Sequence, residues 1–168
     1  DFCPGGALPI AEGDQVVPVL NAWIDAASQA GTPVYLSRDW HPKHHPSFTE
    51  EGGPWPVHCL QDTAGAAFHP GLHKPPEAVI ITKGTRFDQD QNSAFDQTGL
   101  AVHLRKAGIR RLIVGGLAED VCVLATVLDA LAEGFAVSVI AAGTRPVTPE
   151  GGAAARLKML TEGAELLL

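Results

Sequence analysis

The chain has 168 residues, about one domain by length and enough to bury a full core without disulfides. Apolar residues make up 45% and charged residues 18%, a balance that excludes a disordered chain. The net charge of −7, with no block of lysine or arginine, excludes a phosphate-backbone partner, and the charge-free stretch between Glu133 and Arg145 is far short of the ~18 apolar residues of a membrane span. Cys3, Cys59 and Cys122 are too few and odd in number for a disulfide framework, and so point to a reducing, cytoplasmic setting.

In chain order, Val16, Leu20, Trp23, Ile24 and Ala27 keep helical spacing, with Asp14 as the expected N-cap, Pro18 in the first turn and Gly31 as the stop. Val34–Ser37 reads as a strand. From Trp40 to Pro76 periodicity is lost: the segment carries seven prolines and six of the seven histidines. Its aromatics Trp40, Phe48, Trp55 and Phe68 predict an ordered, packed loop, because structureless stretches this long are uncommon in compact domains unless functional. Val79–Thr82 is the second strand, and a weaker helix runs from Leu100 to Ala107 before Gly108. Leu112–Val114 is the third strand, leading into a turn at Gly115-Gly116-Leu117-Ala118. A strong helix follows over about Asp120–Glu133, with Val121, Leu124, Ala125, Leu128, Leu131 and Ala132 on its apolar face. Val137–Ile140, a helix over about Glu150–Glu162 weakened by Gly151 and Gly152, and Leu166–Leu168 complete the chain. Near-continuous apolar strands alternating with helices predict a single α/β domain over residues 1–168, a doubly wound and mostly parallel sheet flanked by helices.

In such sheets ligands bind beyond the carboxyl ends of the strands. Asp39, Trp40 and His41 follow the first strand, Lys83 ends the second, and Cys122 lies in the first turn of the strong helix after the third. A thiol there feels the positive end of the helix dipole, which favours thiolate. Lys83 would be a partly desolvated amine able to tune that thiol and move a proton. Asp39 and His41, two apart on extended backbone, point to one side, and His58 offers a third ligand. Three N/O ligands with an open position describe a catalytic metal site. His44 and His45 could offer another ligand. His69, His73 and His103 read as loop or surface residues, and Cys59 as a core thiol.

Four motifs carry a resemblance. Asp1-Phe2-Cys3-Pro4-Gly5-Gly6-Ala7-Leu8, Ser37-Arg38-Asp39-Trp40-His41-Pro42, Gly53-Pro54-Trp55-Pro56-Val57-His58-Cys59 and Gly116-Leu117-Ala118-Glu119-Asp120-Val121-Cys122-Val123 resemble, in the right order, those of nicotinamidases in the isochorismatase-like cysteine hydrolase superfamily. The resemblance implies a parallel six-stranded sheet, Cys122 as nucleophile with Lys83 as its amine partner, and a divalent metal (zinc first, iron or manganese otherwise) on Asp39, His41 and His58. It implies an oxyanion hole from the N–H groups of Ala118 and Cys122, a cis peptide at Leu117-Ala118, and Phe2 and Trp55 as the aromatics that sandwich a pyridine ring. It places the family's catalytic aspartate four residues upstream of Asp1, at the end of a first strand that the chain from Asp1 onward lacks. The expected partner is the small molecule nicotinamide, with pyrazinamide as a near-isostere, neither nucleic acid nor membrane, and homo-oligomer formation left open. The rival readings are a sister hydrolase of another amide, carbamoyl or enol-ether substrate, and an inactive binding protein on the same scaffold.

Overall fold

The computed structural model describes all residues, 1–168. They form two compact units, residues 1–91 and 92–168.

In the first unit, α1 (Val16–Gln29) buries Val16, Val17 and Ile24, whereas Trp23, expected on that face, is 38% exposed. Asp14 does not cap it. It lies in the 3-10 turn Gly13–Gln15 that leads into the helix, and Gln15 occupies the cap position, its side chain making no capping bond to the helix. β1 (Tyr35–Asp39) and β2 (Val79–Lys83) pair in parallel, with Asp39 opposite Lys83 at their carboxyl ends. The long segment between them is ordered as expected. It holds the 3-10 turns Thr49–Glu51 and Ala64–Ala66 and the parallel bridges His41–Leu60 and Phe48–Trp55, with Phe48 buried.

In the second unit, β3 (Arg111–Leu117), β4 (Ala136–Arg145) and β5 (Glu165–Leu167) form a parallel sheet in the order β3-β4-β5. β3 does not turn at Gly115 as expected. It runs to Leu117 through a register shift between Val114 and Gly116, and Gly116 takes φ 128°, a backbone state open to glycine and costly for other residues. α2 (Leu100–Lys106) buries Leu100 and Leu104. The strong helix is two elements: a π-turn over Glu119–Val123, then α3 (Leu124–Ala132). Its fully buried stripe is Val123, Val127 and Ala130, one position off the expected face, because this segment is apolar nearly all round and pattern alone does not fix the stripe. α4 (Pro149–Thr161) is capped by Thr148, whose hydroxyl accepts the Gly151 N–H, and buries Gly152, Ala155 and Met159.

All five expected strands are present, every pairing is parallel, and helices flank the strands. Within the first unit β1 and β2 form a two-stranded ladder, and within the second β3, β4 and β5 form a three-stranded one.

Met159 is fully buried against the core of the second unit. Met159→Ala is expected to cost about 2–5 kcal/mol of stability in chemical denaturation of the full-length protein. A loss below about 1 kcal/mol would show that the site collapses around the smaller side chain.

Candidate active site

Parallel register builds the first part of the site. Because Asp39 stands opposite Lys83, their side chains meet: Lys83 Nζ donates to Asp39 Oδ1 and, at 3.3 Å, to the Gln91 carbonyl. Lys83 is 4% exposed and Asp39 7%. Burial pushes the Asp39 carboxyl up, but the Lys83 ammonium, His41 and the Lys83 hydrogen bond outweigh it and hold the group below its ordinary value. Asp39 is therefore a carboxylate, the form that ligates a metal.

His41 continues the β1 strand. Its backbone N–H donates to the Cys59 carbonyl (2.8 Å) and its carbonyl accepts the Gln61 N–H (2.9 Å). This bridge carries the irregular segment, and His58 with it, to the strand end. Asp39, His41 and His58 are all buried and offer ligand atoms within 4.8 Å of one another. Two carbonyls fix the useful tautomers. His41 Nδ1 donates to Gly84 O (2.8 Å) and His58 Nδ1 to Pro56 O (2.7 Å), which leaves both Nε2 lone pairs for a cation. Burial lowers the His58 pKa and keeps that ring neutral. The donor set thus fits a divalent ion.

His45 is the fourth imidazole here, its ring centroid 4.1 Å from that of His41. His41, His45 and Asp90 form a second group with ligand atoms within 4.8 Å. Burial, then His41, lowers the His45 pKa to about 4, so the ring is neutral. Its Nδ1 lies 2.7 Å from the Ser47 Oγ and 3.3 Å from the Ser47 N, and its buried Nε2 has no hydrogen-bond partner. Asp39, His41 and His58, with both imidazole Nδ1 atoms held by carbonyls, are the better-defined donor set, and His45 stands beside it as a further imidazole. His44 is exposed and pairs with Glu51.

Two supports escaped the sequence reading. Asp1 Oδ2 accepts the Cys59 N–H at 2.7 Å and braces the residue after His58, which sits at φ 45°. Gly84, besides accepting from His41, leaves room for the His41 ring, which a side chain at that position would overlap. A glycine directly after the strand-end lysine was the visible signal; for Asp1 there was none outside the resemblance. Of the two expected ring-binding aromatics, Phe2 packs 5.7 Å from the His58 ring, centroid to centroid, and Trp55 is bridged to Phe48 in the same unit.

In the second unit, Cys122 is half-buried on the π-turn rather than in a first α-turn. Its Sγ lies 3.8 Å from Asn92 Oδ1. The peptide Leu117-Ala118 is cis, as the resemblance implied.

A family model, the isochorismatase domain, matches residues 1–168. The chain belongs to the isochorismatase family. Within it, the chain is 41% identical to a nicotinamidase of Escherichia coli, with 99% of this chain and 89% of that protein covered. It resembles the crystal structure of a Pyrococcus horikoshii pyrazinamidase in complex with zinc at TM-score 0.96 and 42% identity, covering 99% of this chain and 92% of that one. It also resembles PnC1 of L. infantum in complex with nicotinate, at TM-score 0.88 and 36% identity, over 98% and 85% of the two chains. These likenesses span the whole chain, so the family's α/β fold holds from end to end.

Gly84→Ala is expected to displace the His41 ring and weaken metal binding by about 10–100-fold in competition with a chromophoric chelator. Unchanged affinity would show that His41 finds its place without the Gly84 support.

Proposed function

We propose that this protein hydrolyses nicotinamide to nicotinate and ammonia through a thioester on Cys122, and accepts pyrazinamide as well. The observation that carries the reading is the buried group of Asp39, His41 and His58, with ligand atoms within 4.8 Å of one another, on a chain 41% identical to a nicotinamidase. One carboxylate and two imidazoles with an open position suit zinc first and also admit iron or manganese. An ion held there would supply a Lewis-acid position for the pyridine nitrogen of the substrate.

The protein's own groups do the rest. Phe2 and Trp55 stack on the ring and limit its rotation. The Cys122 thiolate attacks the carboxamide carbon, forming a C–S bond, and the carbonyl oxygen becomes an oxyanion held by the N–H groups of Ala118 and Cys122. Lys83 serves as proton carrier. The amine nitrogen gains a proton, the C–N bond breaks, and ammonia leaves. Water then attacks the thioester carbonyl, the C–S bond breaks, nicotinate is released and the Cys122 thiol is regenerated. The competing thiols suit the role less well: burial pushes the Cys3 thiol up, and Cys59 is buried.

Two substitutions in full-length, metal-loaded protein test the assignment. Cys122→Ala is expected to abolish ammonia release while the protein stays folded, since alanine keeps the helical preference. Turnover near the wild-type rate would overturn the thioester mechanism. His58→Ala is expected to remove the bound ion, read by elemental analysis of protein purified without added metal. A variant that keeps full occupancy would show that His58 is not a ligand.

A further inference from the structure

Cys122 shares its π-turn with two acids, Glu119 and Asp120, whose charge at the start of a helical segment would oppose a thiolate on the same turn. Asp120 is engaged by the residues just before α4, and Glu119 by Arg156 within that helix. Asp120 Oδ1 accepts the Val147 N–H at 2.8 Å, and Oδ2 lies 3.4 Å from the Thr148 N. Glu119, 0% exposed, accepts a two-pronged bond from Arg156, Nε to Oε1 at 2.6 Å and Nη2 to Oε2 at 3.1 Å. Arg156 stands on α4 with its side chain 45% exposed.

The helix is shaped for these contacts. A Cβ at Gly151 would collide with the Asp120 carboxylate, and one at Gly152 would press on Pro146 at 2.7 Å and on Glu119 Oε2 at 3.2 Å. The two glycines that weaken the start of α4 are therefore the residues that let it approach both acids. A buried carboxylate is tolerated only when paired and hydrogen-bonded, so the Glu119 position depends on the Arg156 fork.

We propose that Glu119 and Arg156 are positioning residues for Cys122: their ion pair ties the π-turn to α4 and neutralises the buried charge three residues before the thiol. This rests on Cys122 being the nucleophile. The pair acts through the turn and touches no substrate.

The test uses full-length, metal-loaded protein and two readouts, ammonia release from nicotinamide and the rate of iodoacetamide alkylation at Cys122, followed by mass spectrometry. Arg156→Met leaves the Glu119 charge buried and unpaired. It is expected to lower kcat by roughly tenfold or more with KM nearly unchanged, and to slow Cys122 alkylation in parallel, the scale expected of a misplaced nucleophile. Arg156→Lys keeps the charge, loses the fork, and should fall between. Combining Arg156→Met with Glu119→Gln removes the unpaired charge and should restore both readouts to within about threefold of wild type. If Arg156→Met lowers the melting temperature but leaves kcat and alkylation within about twofold, the pair is structural only and the proposal fails. It fails too if the double variant is no better than Arg156→Met. Wild-type protein that releases no ammonia would overturn the nicotinamide reading, and the alkylation series alone would then decide the role of the pair.

Discussion

The buried contact between Asp39 and Lys83 is the constraint on which the first unit depends. Two opposite charges at 7% and 4% exposure persist because each compensates the other, while Lys83 also donates to the Gln91 carbonyl and His41 Nε2 lies 3.7 Å from the second Asp39 oxygen. The parallel register of β1 and β2 makes them neighbours, and a slip of one residue would turn both side chains to the opposite face. Once Asp39 is a fixed carboxylate, the histidines around it have a centre to converge on.

Convergence is the work of the irregular segment. It makes almost no regular structure, yet it closes backbone bonds with His41 on both sides and orients His58 through the Pro56 carbonyl. Because carbonyls and not water hold the two Nδ1 protons, the rings present Nε2 without paying to reorganise when an ion arrives. The Asp1 carboxylate on the Cys59 N–H extends the same logic, a local strained backbone held by a distant charge.

The second unit solves a different problem, placing a thiol at the end of a strand. β3 shifts register at its glycines and passes directly into a π-turn, a wide turn found mostly at functional positions, so Cys122 stands at the head of α3. The acids beside it are absorbed by Arg156 and by backbone N–H groups, so the charge on the turn that carries the thiol is compensated.

By itself, the sequence determined the five strands and four helices, since apolar runs and helical spacing are local properties. It also determined the chemistry-bearing residues at the strand ends, because parallel α/β topology dictates where such residues gather, and the motif order that marks the isochorismatase family. Only the tertiary structure decided the rest. Helical spacing could not distinguish a π-turn from an α-turn at Cys122, nor choose the buried stripe on a segment apolar nearly all round. Asp14 looked like a cap because capping chemistry is local, but the preceding 3-10 turn took that position. The register that sets Asp39 opposite Lys83 depends on ladder hydrogen bonds between distant residues, and the His41 and His58 tautomers depend on carbonyls supplied by Gly84 and Pro56. The pairing of Glu119 with Arg156 spans 37 residues, and the fit of Gly151 and Gly152 around the acids depends on the same approach of α4. Contacts of that kind leave no periodic trace in the chain, because they are set by how elements pack and not by what each element is.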